Sequence, residues 1–214
     1  MKRRIESILI EWKNRQHRKP LVLRGARQVG KTWTVTRFGR EHFRYPIILD
    51  LEKDRNLHKL FGSDLSAQHL KVLIEASTGQ PLVPGETFLF LDEIQACPRA
   101  LMALRYFNEE MPDLHVVAAG SLLEFALEDI PFPVGRVEFE WMRPLSFEEF
   151  LWATGMERLA GHIPSLAQSD PVPEAIHGKL LEQLKLYAVT GGMPEAVVVF
   201  AKRHSLAEVS SVHR

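Results

Sequence analysis

Gly25-Ala26-Arg27-Gln28-Val29-Gly30-Lys31-Thr32 is the stretch on which the reading of this sequence turns. It has the Walker A spacing: a glycine, four residues, a second glycine, a lysine, then a serine or threonine. The apolar run Leu21-Val22-Leu23 precedes it, and a segment able to begin a helix at Lys31 follows. That order suits a phosphate. Glycines allow backbone N–H groups to curl around its oxygens, and a helix N-terminus adds free donors and the positive end of a dipole. Lys31 is placed for the β- and γ-phosphates, and the Thr32 hydroxyl for Mg2+. Residues Gly25, Ala26, Arg27, Gln28, Val29, Gly30, Lys31, Thr32 and Trp33 are therefore the expected nucleotide-binding set.

Working outward, three more apolar runs end in polar residues. Ile47-Ile48-Leu49 with Leu51 leads into Asp50, Glu52 and Asp54, read as solvated strand-end carboxylates. Phe88-Leu89-Phe90-Leu91 is followed at once by Asp92-Glu93. Behind a phosphate loop this is a Walker B element, with Asp92 as a magnesium ligand and Glu93 orienting or deprotonating a water. Leu114 to Ala119 ends in Gly120-Ser121. Ligands of open α/β sheets gather at the carboxyl ends of strands, which places Ser121 by a γ-phosphate or the attacking water. Ser121 and Glu124 equally form a capping box for a following helix. Continuous apolar runs suit strands covered on both faces. Val137-Glu138-Phe139-Glu140-Trp141 alternates instead, as a half-exposed fifth strand does.

Helical spacing separates these strands. Ile5, Ile8, Leu9 and Trp12 share one face; a helix is expected from about Asp64 to Ser77, and another through Ala100, Ala103, Leu104 and Phe107. The predicted fold is α/β: a P-loop NTPase with a mostly parallel sheet flanked by helices, plus a small C-terminal helical module. The core is expected over 1–144 and the lid-like module over 145–214, with 161–173 a linker or insertion. In that module Ser146-Phe147-Glu148-Glu149 is a capping box. A helix carrying Leu180, Leu181, Leu184, Tyr187 and Ala188 ends at Gly191-Gly192, and Pro194 opens another.

Composition narrows the classes. Lys plus Arg and Asp plus Glu are 27 each, so no global basic field argues for nucleic acid. The basic connection from Lys13 to Lys19 reads as a solvated loop or a face for an anionic partner. A single cysteine, Cys97, excludes an internal disulfide framework. The nine histidines are scattered, with no pair at metal-ligand spacing. Glu6 and Glu11 interrupt what would otherwise start like a signal peptide, and no stretch approaches the ~20 apolar residues of a membrane helix. A cytoplasmic protein without membrane contact is expected.

With these residues in view, the chain resembles bacterial and archaeal P-loop ATPases of the AAA-plus type. The resemblance runs over nearly the whole chain. It rests on Arg24 to Thr32, Phe90-Leu91-Asp92-Glu93-Ile94-Gln95, Ala119 to Glu124, Pro133-Val134-Gly135-Arg136, Pro144 to Phe150 and Gly191-Gly192-Met193-Pro194. It implies ATP and Mg2+ as cofactors, Ser121 at the sensor-1 position, and Arg136 as the arginine acting on the γ-phosphate. A strand-edge salt bridge with Glu138 or Glu140 is the alternative for Arg136. It also implies that Pro194 packs near the adenine, where plain helix punctuation explains it as well. The activity implied is ATP hydrolysis driving a conformational switch, slow in isolation, with Glu93, Lys31, Ser121 and Arg136 catalytic and Thr32 and Asp92 on the metal. The alternative is a nucleotide-gated protein- or DNA-binding module with negligible turnover. Expected partners are ATP or ADP, further copies of the chain, and a protein or DNA surface the sequence does not identify. Members of this group usually continue into a restriction-endonuclease-like domain. The sequence stops at Arg214, which implies a fragment or a shortened chain, and no function of that domain is carried over.

Overall fold

Each apolar run ending in a polar residue becomes a strand, and the five strands among the described residues run parallel. The computed structural model describes residues 1–121, 135–163 and 173–212. Its described elements open with α1 (Arg4–Asn14), β1 (Leu21–Arg24), α2 (Lys31–His42) and β2 (Tyr45–Asp50). They continue with α3 (Ala67–Thr78), β3 (Thr87–Asp92), α4 (Pro98–Glu110), β4 (His115–Gly120) and β5 (Glu138–Trp141). The sheet order is β2-β3-β4-β1-β5. Every residue of β3 and β4 is buried, whereas the edge strands β2 and β5 alternate. This is the pattern expected when helices cover both faces of a parallel sheet. The chain divides into two compact units, Ile8–Met142, and Met1–Ser7 together with Arg143–Arg214.

In the unit Ile8–Met142, α3 and α4 bury Leu70, Ile74, Leu101, Leu104 and Phe107 in one cluster with Leu89, Leu91 and Val116. Full burial of a side chain of this size is worth about 1.5–3 kcal/mol. The helix expected from Asp64 begins at Ala67 instead. Asp64 accepts hydrogen bonds from the Ser66 amide and hydroxyl, both at 2.8 Å, and so closes a turn ahead of the helix. A 3-10 helix over Arg55–Phe61, not expected from the periodicity, fills the connection before it. On β5 the alternation is real but its sense is unexpected. Phe139 and Trp141 are the exposed residues, and the Arg24 guanidinium lies 3.6 Å from the centroid of the Phe139 ring.

The second unit is helical: α5 (Phe147–Ala153), α6 (Glu157–Ala160), α7 (Glu174–Thr190), α8 (Pro194–Arg203) and α9 (Leu206–Val212). The capping box at its start is present, with Ser146 Oγ accepting from the Glu149 amide and Glu149 accepting from the Ser146 amide. The same carboxylate takes Arg3 Nε at 3.0 Å and the Arg4 amide at 2.8 Å. A buried charge is tolerable when its lone pairs are filled in this way. Phe150, Leu180, Val197 and Phe200 form the core around it. The loop expected over 161–173, with Glu124, Pro131 and Pro133, lies largely or wholly outside the described residues.

The basic connection after α1 folds back on its own unit. Arg15 pairs with Glu138 at 2.6 Å, and Arg18 donates to the Asp113 carbonyl and approaches His115 Nδ1 at 3.3 Å. His115 Nε2 lies 3.2 Å from the Lys13 carbonyl, so the ring donates there and accepts from Arg18 as a neutral imidazole. Burial, reinforced by the Arg18 charge, lowers its pKa from 6.5 to about 4. A histidine depressed by folding takes up its proton in the unfolded chain first. Its contribution is therefore complete above pH 6.5 and is lost as pH falls toward 4, a loss of up to about 3 kcal/mol. Urea unfolding of wild type and of His115→Gln at pH 7 and pH 5 checks this. The variant should show the shallower loss on acidification.

Candidate active site

The strand register gathers the motif residues at one edge. Arg24 pairs with Gly120, and Leu91 pairs with Ala118. Gly25, Asp92 and Ser121 therefore leave three adjacent strands at their carboxyl ends, where open α/β sheets bind ligands.

The loop between β1 and α2 is shaped by close approach. A side chain on Gly25 (φ 153°) would sit 2.1 Å from the Met142 carbonyl oxygen, so only glycine fits. Gly30 takes φ 93° as the residue before α2, and among the described residues no side chain caps that helix. Its first N–H groups are thus donors without a side-chain acceptor, at the positive end of the helix dipole. Val29 is fully buried and anchors the loop from below. Trp33, by contrast, is 53% exposed, with the Arg37 guanidinium 4.6 Å from its ring.

Lys31 is buried, and its ammonium donates to the Gly25 and Ala26 carbonyls, both at 2.8 Å. Burial lowers its pKa against the opposing pull of Glu93 and Asp92, with Arg27 adding to the depression. Thr32 lies close enough to Asp92 for its hydroxyl to favour the charged carboxylate. Asp92 is 2% exposed, and its pKa is raised, first by burial, with the Thr32 hydroxyl opposing and the Glu93 and Asp50 charges adding. Asp50 itself accepts from the Glu52 and Lys53 amides as a turn cap. Two adjacent hard oxygens on a hydroxyl and a carboxylate are the donor chemistry Mg2+ uses when phosphates and waters complete its shell. Among the described residues no cluster of three or more His, Cys, Asp or Glu forms a separate metal site.

Glu93 adopts φ 47°, a left-handed conformation rare outside glycine and asparagine. Its Oε2 accepts from Ser121 Oγ at 3.3 Å and from Gln95 Nε2 at 2.5 Å. The structure thus joins Lys31, Thr32, Asp92, Glu93 and Ser121. Gln95 stood in the quoted motif without a role. Nothing in its spacing reveals the contact, because residues two apart face apart on a helix and the fold-back needs the Glu93 backbone. Cys97 is buried, and burial raises its thiol pKa, as suits a packed residue rather than a nucleophile.

One predicted residue of the same unit, Arg136, is not brought to this cluster. Arg136 Nε pairs with Glu109 at 3.1 Å, the same oxygen that Arg105 holds, rather than with Glu138 or Glu140. It sits just before β5, whose first residue pairs with Leu21, so it lies at the end of the sheet where strands begin. The four residues of β5 alone separate that end from the loop by ~13 Å. Pro194 opens α8 in the other unit, at its N1 position.

Since burial disfavours the Asp92 charge, Asp92→Asn should raise the Tm of the free protein at pH 7. The sign follows from a raised folded-state pKa: the native state binds the extra proton, so the gain disappears as pH falls and wild-type Asp92 is protonated. Differential scanning calorimetry at pH 7 and pH 4 measures both.

A family model described as "AAA domain" matches residues 17–151, more than half of the chain. No curated protein matches the sequence. Among solved structures, the DNA-bound Drosophila ORC aligns at TM-score 0.50 and 10% identity, over 97% of this chain and 65% of that one. AMPPCP-bound DnaA from Aquifex aeolicus aligns at 0.48 and 10% identity (98% and 63%), and C. elegans PCH-2 at 0.45 and 13% (97% and 65%). The chain spans just under two thirds of the length of each. Its five-stranded parallel sheet and its family match agree: the chain belongs to the AAA family of P-loop ATPase domains.

Proposed function

We propose that the protein is a Mg2+-dependent ATPase whose hydrolysis of ATP to ADP drives a conformational switch. The observation that carries this reading is the buried Lys31, held on the Gly25 and Ala26 carbonyls at the N-terminus of α2, with the buried Asp92 at the carboxyl end of β3. The α2 N–H groups and Lys31 stabilise negative charge on the β- and γ-phosphates. Lys31 reaches them by exchanging the Gly25 and Ala26 carbonyls for phosphate oxygens. Thr32 and Asp92 are the residues that would hold Mg2+, which when bound supplies compact positive charge to the phosphate oxygens. Glu93, half-buried and hydrogen-bonded to Ser121, directs the attacking water and accepts its proton. Catalysis here is positioning and electrostatics.

Arg136 is held by Glu109 at the far end of its own sheet, so its action on a γ-phosphate is assigned to the site of a neighbouring copy. That same placement favours the second reading in a single copy, a nucleotide-gated binding module with negligible turnover. Concentration separates the two. Specific ATP turnover should rise with protein concentration. Arg136→Ala should lower it by about 10³-fold or more, and Lys31→Ala should abolish Mg·ATP binding. Mixing those two variants should restore part of the turnover, because each supplies what the other lacks. Equal background turnover in wild type and Glu93→Gln, with Mg·ATP binding intact, would leave the binding module standing. No calorimetric signal for Mg·ATP would sink both.

A further inference from the structure

We infer that Gln95 is a positioning residue for Glu93: its amide ties down one carboxylate oxygen so that the other is the one presented to water. The inference rests on the hydrolytic reading above. Glu93 Oε2 is claimed twice, by Gln95 Nε2 at 2.5 Å and by Ser121 Oγ at 3.3 Å, which fixes the carboxylate plane between two elements. The backbone is arranged to make this contact. Glu93 takes φ 47° and ψ 50°, and the 3-10 turn Ile94–Ala96 that follows is closed by Ala96 N to Glu93 O at 2.9 Å and Cys97 N to Ile94 O at 3.0 Å. A side chain two residues on is thereby returned over the carboxylate. Strained conformations of this kind persist where the surroundings over-determine them, and they cluster at functional sites.

The other end of the same amide argues against a purely structural role. Gln95 Oε1 is buried and, among the described residues, has no hydrogen-bond partner. A buried acceptor left unpaired is a standing cost that an apolar side chain of similar length would remove. A residue that only filled this space would be better as methionine. What glutamine adds is a charge-assisted hydrogen bond to the group that acts on water.

The test follows from that contrast. In Gln95→Met, kcat for ATP should fall about tenfold, a share of what a positioned base contributes. KM and the calorimetric Kd for Mg·ATP should stay within about twofold, and Tm should not drop. In single-turnover runs with excess protein, adding Gln95→Met to Glu93→Gln should cost nothing further, since Gln95 acts through Glu93. The isosteric Gln95→Glu, which loses the donor at neutral pH, should reproduce the kcat loss if the methionine variant fails to fold. Wild-type kcat in both variants overturns the inference while leaving the ATPase reading in place. So does an undiminished loss in the Glu93→Gln background, or a parallel loss of nucleotide affinity. Wild-type turnover no higher than that of Glu93→Gln removes the role of Glu93, and that of Gln95 with it.

Discussion

The parallel register of β1, β4 and β3 is the constraint from which everything at the site descends. Arg24 lies beside Gly120 and Leu91 beside Ala118, so three strands run out together. A shift by one residue would exchange the two buried faces of β3 and β4 and misplace the side chains packed on each. Register thus converts a packing requirement into the alignment of a phosphate loop, an acid pair and a serine. The carbonyl of Met142, pressed against Gly25, extends the same logic across β1 to β5.

At that edge the protein accepts poor electrostatics. Lys31 and Asp92 are both buried, and burial works against the charged form of each. Their partial relief comes from each other, from Thr32 and from the loop carbonyls. Glu93 adds backbone strain, and Gln95 an unpaired buried acceptor. Sites that bind a multiply charged ligand commonly keep such tensions, because the interactions that would relax them are those the ligand makes.

The opposite end of the sheet is held by ordinary means. Arg105 and Arg136 converge on Glu109, while Arg15 reaches Glu138. Exposed pairs of this kind contribute little individually. Their interest is positional: Arg136 is half-exposed and paired with Glu109, the placement on which the proposed sharing of sites between copies rests.

The sequence by itself determined the strands, because β1, β3 and β4 are covered on both faces and must be continuously apolar, and the loop, because its glycines and lysine sit at fixed spacing in one short segment. It determined the Ser146–Glu149 capping box for the same reason, every partner lying within one turn. Boundaries at Asp64 and the 3-10 helix at Arg55–Phe61 escaped it, since local turn chemistry there overrides periodicity. Only the tertiary structure decided that Lys31 is held by the Gly25 and Ala26 carbonyls, that Ser121 and Gln95 share one oxygen of Glu93, and that Arg136 belongs to Glu109. Those contacts hang on strand order, on the path of the phosphate loop and on one left-handed backbone angle, and none of these leaves a periodic trace in the chain.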